Sequence, residues 1–193
     1  MPGAGRVAGG VARGVRLSGP GGATRPLADR VKQSLFGGLA DRLAGARVLD
    51  LFAGSGAAGI EALSRGAASC DFVERDRLAV DAIRSNLRAT GLADRARVHH
   101  TDVLRFLHRT GAGTSPFDLV VLDPPYGDPA MLAALGLLGG EALLAPEAIV
   151  VAKHFWRDSL PEEVGNLSRQ RFRRFGETAL TLYVAGDPAG SRR

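Results

Sequence analysis

Val48-Leu49-Asp50-Leu51-Phe52-Ala53-Gly54-Ser55-Gly56-Ala57-Ala58-Gly59 is the stretch that decides the fold. The apolar run Val48–Phe52 reads as a buried strand, and the glycines behind it read as a turn into a helix through Ile60, Leu63 and Ser64. The spacing Gly54-x-Gly56-x-x-Gly59 fits the dinucleotide fingerprint, in which glycine lets the backbone turn tightly and approach a ligand closely. A tight strand–helix turn that holds no ligand would use the same residues.

Outward from this stretch the chain alternates. Cys70–Glu74 reads as a second strand, and Leu78–Thr90 as a helix with Val80, Ile83 and Leu87 inward and Gly91 as its stop. Arg97–His100, Phe117–Leu122 and Ala148–Lys153 read as further strands, separated by helices over Val103–His108 and Met131–Leu138. Arg171–Phe175 and Ala179–Val184 read as a closing antiparallel pair around Gly176. Strand–helix alternation specifies a mostly parallel α/β sheet, here of seven strands, with helices on both faces. Ligands of such sheets sit at the C-terminal strand ends.

Upstream, Arg6-Val7-Ala8 and Val15-Arg16-Leu17 suggest a small hairpin around Gly9, Gly10 and Gly14; a flexible tail has the same composition. Thr24-Arg25-Pro26 opens a helix whose apolar stripe is Val31, Leu35, Phe36 and Leu39. The expected organisation is a basic extension over 1–45, a main α/β domain over 46–185 and a loose tail over 186–193.

With 193 residues, 45% of them hydrophobic and 23% charged, the chain is long enough for a sizeable core and is not a disordered polymer. No window approaches the roughly 18 apolar residues of a membrane helix, so no membrane association is expected. The single Cys70 allows no internal disulfide, and no Cys/His cluster suggests a metal, so a reducing cytoplasm is expected. Adjacent His99 and His100 point to opposite faces of a strand and do not make one metal site. The net charge of +5 is uneven: +6 over residues 1–47, −4 over 48–152 and +3 over 153–193. A polyanion would therefore be met by the flanks. Arginine outnumbers lysine 23 to 2, as a GC-rich genome would produce.

Each strand end carries chemistry. Glu74 ends the second strand and can accept from both hydroxyls of a ribose. Asp102 ends the third, where it can accept from an adenine amine or cap the next helix. Asp123-Pro124-Pro125-Tyr126 ends the fourth. Two prolines fix the backbone and remove two N–H donors, leaving carboxylate and carbonyl acceptors beside an aromatic ring. A planar base with an exocyclic amine fits such a site: the amine donates to Asp123 and the Pro124 carbonyl, and the ring stacks on Tyr126.

In this order, Asp50–Gly56, Glu74, Asp102 and Asp123–Tyr126 resemble the class I S-adenosylmethionine-dependent amino-methyltransferases, a Rossmann-like fold. Gly9-Gly10, Arg13-Gly14, Thr24-Arg25-Pro26, Asp29-Arg30-Val31 and Glu61-Ala62-Leu63-Ser64-Arg65-Gly66 narrow the likeness to the RsmD family, from about Arg6 to Val184. The resemblance implies methyl transfer from S-adenosylmethionine to the exocyclic N2 of a guanine in bacterial 16S rRNA, of the guanine-966 type, in the small subunit or an assembly intermediate. No obligate protein partner is expected. By the same resemblance Asp50, Phe52, Gly54, Gly56, Glu74, Arg75, Asp102 and Val103 would surround the cofactor. Asp123, Pro124 and Tyr126 would hold the base, the released proton going to Asp123 or to water. Arg6, Arg13, Arg16, Arg25 and Arg30 would meet RNA. An adenine-N6 methyltransferase on DNA or RNA, or more distantly an NAD-dependent oxidoreductase, fits part of the same set.

Overall fold

A computed structural model describes residues 3–20, 29–110, 115–140 and 143–186. They fall into two compact units, Met1–Asp102 and Val103–Arg193.

The first unit opens with an antiparallel hairpin, β1 (Gly3–Arg6) and β2 (Arg16–Ser18), followed by the helices α1 (Asp29–Gly37) and α2 (Ala40–Leu43). Then come β3 (Arg47–Leu51), α3 (Ala57–Ser64), β4 (Ser69–Glu74), α4 (Arg77–Thr90) and β5 (Ala96–His100). These three strands are parallel in the order β5-β4-β3, with Asp50 opposite Phe72 and Glu74 opposite His100. Strand β3 is buried on both faces from Val48 to Leu51, which explains its continuous apolar run. Helix α4 begins where the Asp76 carboxylate accepts from Ala79 N at 2.8 Å and ends at Gly91 in the left-handed region. In α1 the stripe Val31, Leu35 and Phe36 is buried, as is Leu39 beyond it. The expected start of that helix at Thr24–Pro26 lies outside the described residues, as does the tail from residue 187.

Helix α3 is buried along its whole length. Its small residues allow this: a Cβ on Gly59 would lie 2.4 Å from the Phe72 ring and 2.6 Å from Cys70 Sγ. The opposite side of α3 receives the hairpin. Ala8 N donates to Glu61 Oε2 at 2.7 Å, Ala12 N to Ser64 Oγ at 3.0 Å, and Val11 N to the Ser64 carbonyl at 2.8 Å. Ser64 Oγ in turn donates to the Gly9 carbonyl at 2.6 Å. At the other end of the hairpin, Asn86 accepts from Ser18 N at 2.8 Å and donates to the Ser18 and Ser55 carbonyls, each at 2.9 Å. The N-terminal glycines therefore serve close approach and not a loose tail: a Cβ on Gly10 would lie 1.8 Å from the Ser64 carbonyl oxygen.

The second unit holds α5 (Val103–Arg109), β6 (Phe117–Leu122), α6 (Ala130–Gly140), β7 (Leu144–Phe155), β8 (Glu163–Val164), β9 (Leu167–Phe175) and β10 (Thr178–Ala185). Its strand order is β6-β7-β10-β9-β8, with β6 and β7 parallel and the other pairs antiparallel. Strand β7 begins before the expected Ala148, because Leu144 already pairs with Phe117; Glu147 then takes a positive φ of 59° and pairing resumes at Ile149. Among the described residues the expected seven strands become eight outside the hairpin, since the two-residue β8 pairs with β9 through Glu163 and Val164. Two residues carry no periodicity, which hides such a strand in sequence.

Cys70 is buried, and its thiol is pushed well above the usual range by burial first and by the nearby Asp50 and Asp71 carboxylates second. It stays protonated and packs as a small apolar side chain. Among the described residues, no helix is long and apolar enough to cross a membrane, and no cluster of metal-binding side chains is present.

The packing of α3 on β4 makes a direct prediction. Gly59→Ala should destabilise the fold by about 1–3 kcal/mol through overpacking against Phe72 and Cys70. A thermal or urea unfolding series would measure it, and an unchanged midpoint would show that this contact relaxes freely.

Candidate active site

In the first unit, the turn after β3 is held by two carboxylates. Phe52 adopts φ 59°, a left-handed conformation unusual for an aromatic residue, and Gly54 and Gly56 follow at 56° and 76°. Backbone strain of this kind collects at ligand-binding turns. Asp50 Oδ2 accepts from Gly59 N at 2.8 Å, with the residue only 1% exposed. Its carboxylate thus fixes the start of α3. Glu74 Oε2 accepts from Gly54 N at 2.9 Å, and Oε1 accepts from Asp76 N at 2.8 Å. Each carboxylate oxygen keeps a second lone pair, so Glu74 can still accept from a vicinal diol. Thr101 N donates to the Glu74 carbonyl at 3.0 Å and brings the end of β5 to the same level, with Asp102 half-buried beside it. Arg75 is exposed, and its carbonyl accepts from His100 Nε2 at 3.1 Å. His99 Nε2 bonds to Asp71 Oδ1 at 2.6 Å.

In the second unit, Val103 is buried at the start of α5. The proline pair follows β6, with Pro124 buried and Pro125 exposed. Asp123 stands one residue past Leu122, which pairs with Ala152 of β7. Lys153 therefore follows at the same level, and its Nζ donates to Asp123 Oδ1 in a close ion pair. Asp123–Tyr126 by itself offers acceptors only; the cation comes from the neighbouring strand, which no local pattern announces. Two opposed effects act on Asp123: burial pushes its carboxyl up to about 6, against the charge and hydrogen bond of Lys153 pulling it down. The Tyr126 hydroxyl shares a 2.6 Å hydrogen bond with Thr178 Oγ1, and its ring lies 6.0 Å from that of Phe155 and 5.7 Å from Lys153 Nζ. At 47% exposure the ring keeps a face for a planar partner. His154 Nδ1 donates to the Phe155 carbonyl and its Nε2 accepts from Thr181, and burial lowers its pKa, so it is neutral and structural.

Of the arginines expected to meet RNA, Arg6, Arg13 and Arg16 are exposed on the hairpin, and Arg6 Nη1 also donates to the Gly14 carbonyl at 3.1 Å. Arg25 lies outside the described residues, and only the backbone of Arg30 is described, in α1.

The family model described as "Conserved hypothetical protein 95" matches residues 5–184. The chain belongs to this family, the RsmD family. Ribosomal RNA small subunit methyltransferase D of Escherichia coli K12 is 37% identical over 179 residues, covering 92% of this chain and 88% of that protein. YlbH of Bacillus subtilis strain 168 is 40% identical over 179 residues, covering 92% and 97%. The solved structure of yhhF from Escherichia coli superposes with a TM-score of 0.85 at 36% identity, covering 94% of this chain and 98% of that one. The chain has the class I methyltransferase fold, a mostly parallel sheet with helices and an antiparallel strand pair.

The ion pair predicts a titration. Carboxyl-carbon NMR should find Asp123 with a midpoint near 6, and Lys153→Met should move it higher, because both lowering influences come from that side chain. The folded state holds this proton more tightly than the unfolded chain does. The contribution of Asp123 to stability is therefore full below the ordinary value of 3.8 and is lost as pH rises through about 6. A midpoint near 4 in both proteins would contradict the burial argument.

Proposed function

We propose that the chain transfers a methyl group from S-adenosylmethionine to the exocyclic N2 of a guanine in bacterial 16S rRNA, of the guanine-966 type, in the cytoplasm. The observation that carries this reading is the end of β6, where the Asp123 carboxylate, a proline-fixed backbone and the tethered ring of Tyr126 converge. The family and the relative named as a small-subunit rRNA methyltransferase support it.

Glu74, Phe52, Gly54 and Gly56 suit the nucleoside and amino-acid parts of the donor, since Glu74 has lone pairs left for ribose hydroxyls and the strained turn offers backbone groups. S-adenosylmethionine supplies an electrophilic methyl group on a sulfonium. The guanine amine is a weak nucleophile because its lone pair is delocalised into the ring. Asp123 Oδ2 and the Pro124 carbonyl accept its two hydrogens and draw them out of the ring plane, which localises the lone pair on N2. Tyr126 holds the ring by stacking while its hydroxyl stays tied to Thr178. Lys153 keeps Asp123 ionised at neutral pH despite its burial. Such positioning and fixed charge lower the barrier without a covalent intermediate. Transfer would break the sulfonium C–S bond as the C–N bond forms, leaving the donor as a neutral thioether, and the proton lost from N2 would go to Asp123 or to water.

The decisive experiment offers radiolabelled S-adenosylmethionine with 16S rRNA, small ribosomal subunits and DNA side by side, followed by nucleoside analysis. N2-methylguanosine from rRNA or subunits is expected. N6-methyladenosine would replace this reading with the adenine-directed one, which Asp123–Tyr126 serves equally well.

Two variants separate the roles. Asp123→Ala should abolish turnover while cofactor affinity stays within a few-fold, whereas Glu74→Ala should weaken cofactor binding by about 1–3 kcal/mol because ribose hydroxyls lose their acceptor. Calorimetry and single-turnover transfer read the two effects, and near-normal transfer by Asp123→Ala would refute the mechanism.

RNA docking by the hairpin is tested by the double variant Arg13→Gln/Arg16→Gln. Deleting the segment would instead strip Glu61, Ser64 and Asn86 of partners. The slope of log affinity for rRNA against log salt should become shallower by about one to two units. An identical slope would remove the hairpin from the RNA interface.

A further inference from the structure

A second aromatic and basic group lies in the same unit as Asp123 and Tyr126, and the mechanism above does not use it. The rings run in sequence: Tyr126 is 6.0 Å from Phe155, and Phe155 is 6.2 Å from Trp156. At the end of this row, the guanidinium carbon of Arg174 sits 3.5 Å from the Trp156 ring centroid, and that of Arg157 sits 4.9 Å from it. Arg174 Nε donates to the Gly176 carbonyl at 2.8 Å, and Trp156 N donates to the Glu177 carbonyl at 3.0 Å. Both arginines are exposed, as are Arg171, Phe172 and Arg173 on β9. The acids in the same stretches are Asp158, whose carboxylate accepts from Phe155 N at 3.2 Å, and the exposed Glu177.

We propose that Trp156, Arg174 and Arg157 form a phosphate clamp for the RNA strand flanking the methylated base. The inference rests on the function proposed above and extends it to a substrate contact. Arg174 is held against the indole and by one hydrogen bond from Nε, so among the described residues four of its five N–H donors stay available in its planar fork. A guanidinium already fixed loses little freedom on gripping a phosphate, so more of the interaction appears as affinity. The location also fits. A base that leaves its stack to reach Tyr126 turns its own backbone, so the neighbouring phosphates need an anchor beside the pocket. The ring row supplies surfaces on which neighbouring bases stack. An acidic protein partner would use the charges but would leave the row of rings without a role.

The test uses the full chain and four proteins: wild type, Arg174→Gln, Trp156→Ala and Trp156→Phe. Filter binding to 16S rRNA without cofactor, across a salt series, reads the clamp alone. Arg174→Gln and Trp156→Ala should each weaken RNA binding about three- to tenfold, and Arg174→Gln should make the salt slope shallower by about one unit. Trp156→Phe keeps an aromatic face for the guanidinium and should bind RNA within twofold of wild type. In steady-state transfer the first two variants should raise KM for RNA with kcat and cofactor affinity unchanged. Unaltered RNA affinity and slope in Arg174→Gln would overturn the clamp, as would equal losses in Trp156→Phe and Trp156→Ala. Failure of the wild type to methylate any RNA would count against the function and not the clamp, because the binding series needs no turnover.

Discussion

One buried carboxylate sets the geometry of the first strand end. Burying an ionised Asp50 is costly unless its oxygens are bonded. The Gly59 N–H, among the first amides of α3, has no partner within the helix and meets that need at 2.8 Å. The positive end of the helix favours the negative charge as well. Gly59 also lets α3 lie against Phe72 and Cys70, where any side chain would collide. The height of α3 relative to β3 is thereby fixed, and with it the path of Phe52–Gly56 between them. Glu74 then takes the Gly54 amide, tying the turn to the end of β4. The candidate cofactor site follows from two carboxylates that hold backbone amides.

The far side of α3 extends the same constraint to the N-terminus. Glu61 is a second buried acid, and its two oxygens are met by the Ala8 amide and the Arg65 guanidinium. Ser64 holds both sides of the hairpin tip. Lys32 Nζ reaches the Arg6 carbonyl at 2.6 Å and closes the hairpin against α1. Arg13 and Arg16 are therefore presented from an anchored hairpin and not from a loose arm. Fixed cations lose less freedom on meeting a phosphate backbone than mobile ones. The glycines that make this segment look flexible in composition permit the approach that makes it rigid.

Much of this was legible in the sequence because it is local. The strand–helix alternation, the Gly91 stop of α4 and the fixed turn at Asp123–Tyr126 are all written in consecutive residues. The inward face of Asp50 was not, since a carboxylate at a strand end reads equally as a ligand contact or as a helix anchor. The extension of β7 to Leu144 and the existence of β8 depend on partners across the sheet. Lys153 escaped for the same reason, although a signal was available. A chain with 23 arginines and two lysines has placed those two lysines where they are almost fully buried. An ammonium is compact and tunable in a way a guanidinium is not, so a lysine in such a composition marks a site that requires one.

The pair Asp123–Lys153 shows how that requirement works. A buried carboxylate alone would drift toward its neutral acid, which donates a hydrogen bond where the amine of a base needs an acceptor. A buried ammonium alone would carry an uncompensated charge. Beside Lys153 the carboxylate is drawn back from the full effect of burial, and the balance leaves Asp123 near 6. At neutral pH that value gives an anion able to accept hydrogen bonds, yet basic enough to take up a proton from a methylated amine. Desolvating both groups offsets much of their attraction, so the pair adds little to stability, while removing one partner would leave the other charge uncompensated. In the function proposed above, such a pair beside an exposed, tethered tyrosine serves chemistry more than packing. The acid side of any pH–activity profile should then follow the carboxylate and not His154, whose ring is held neutral by burial.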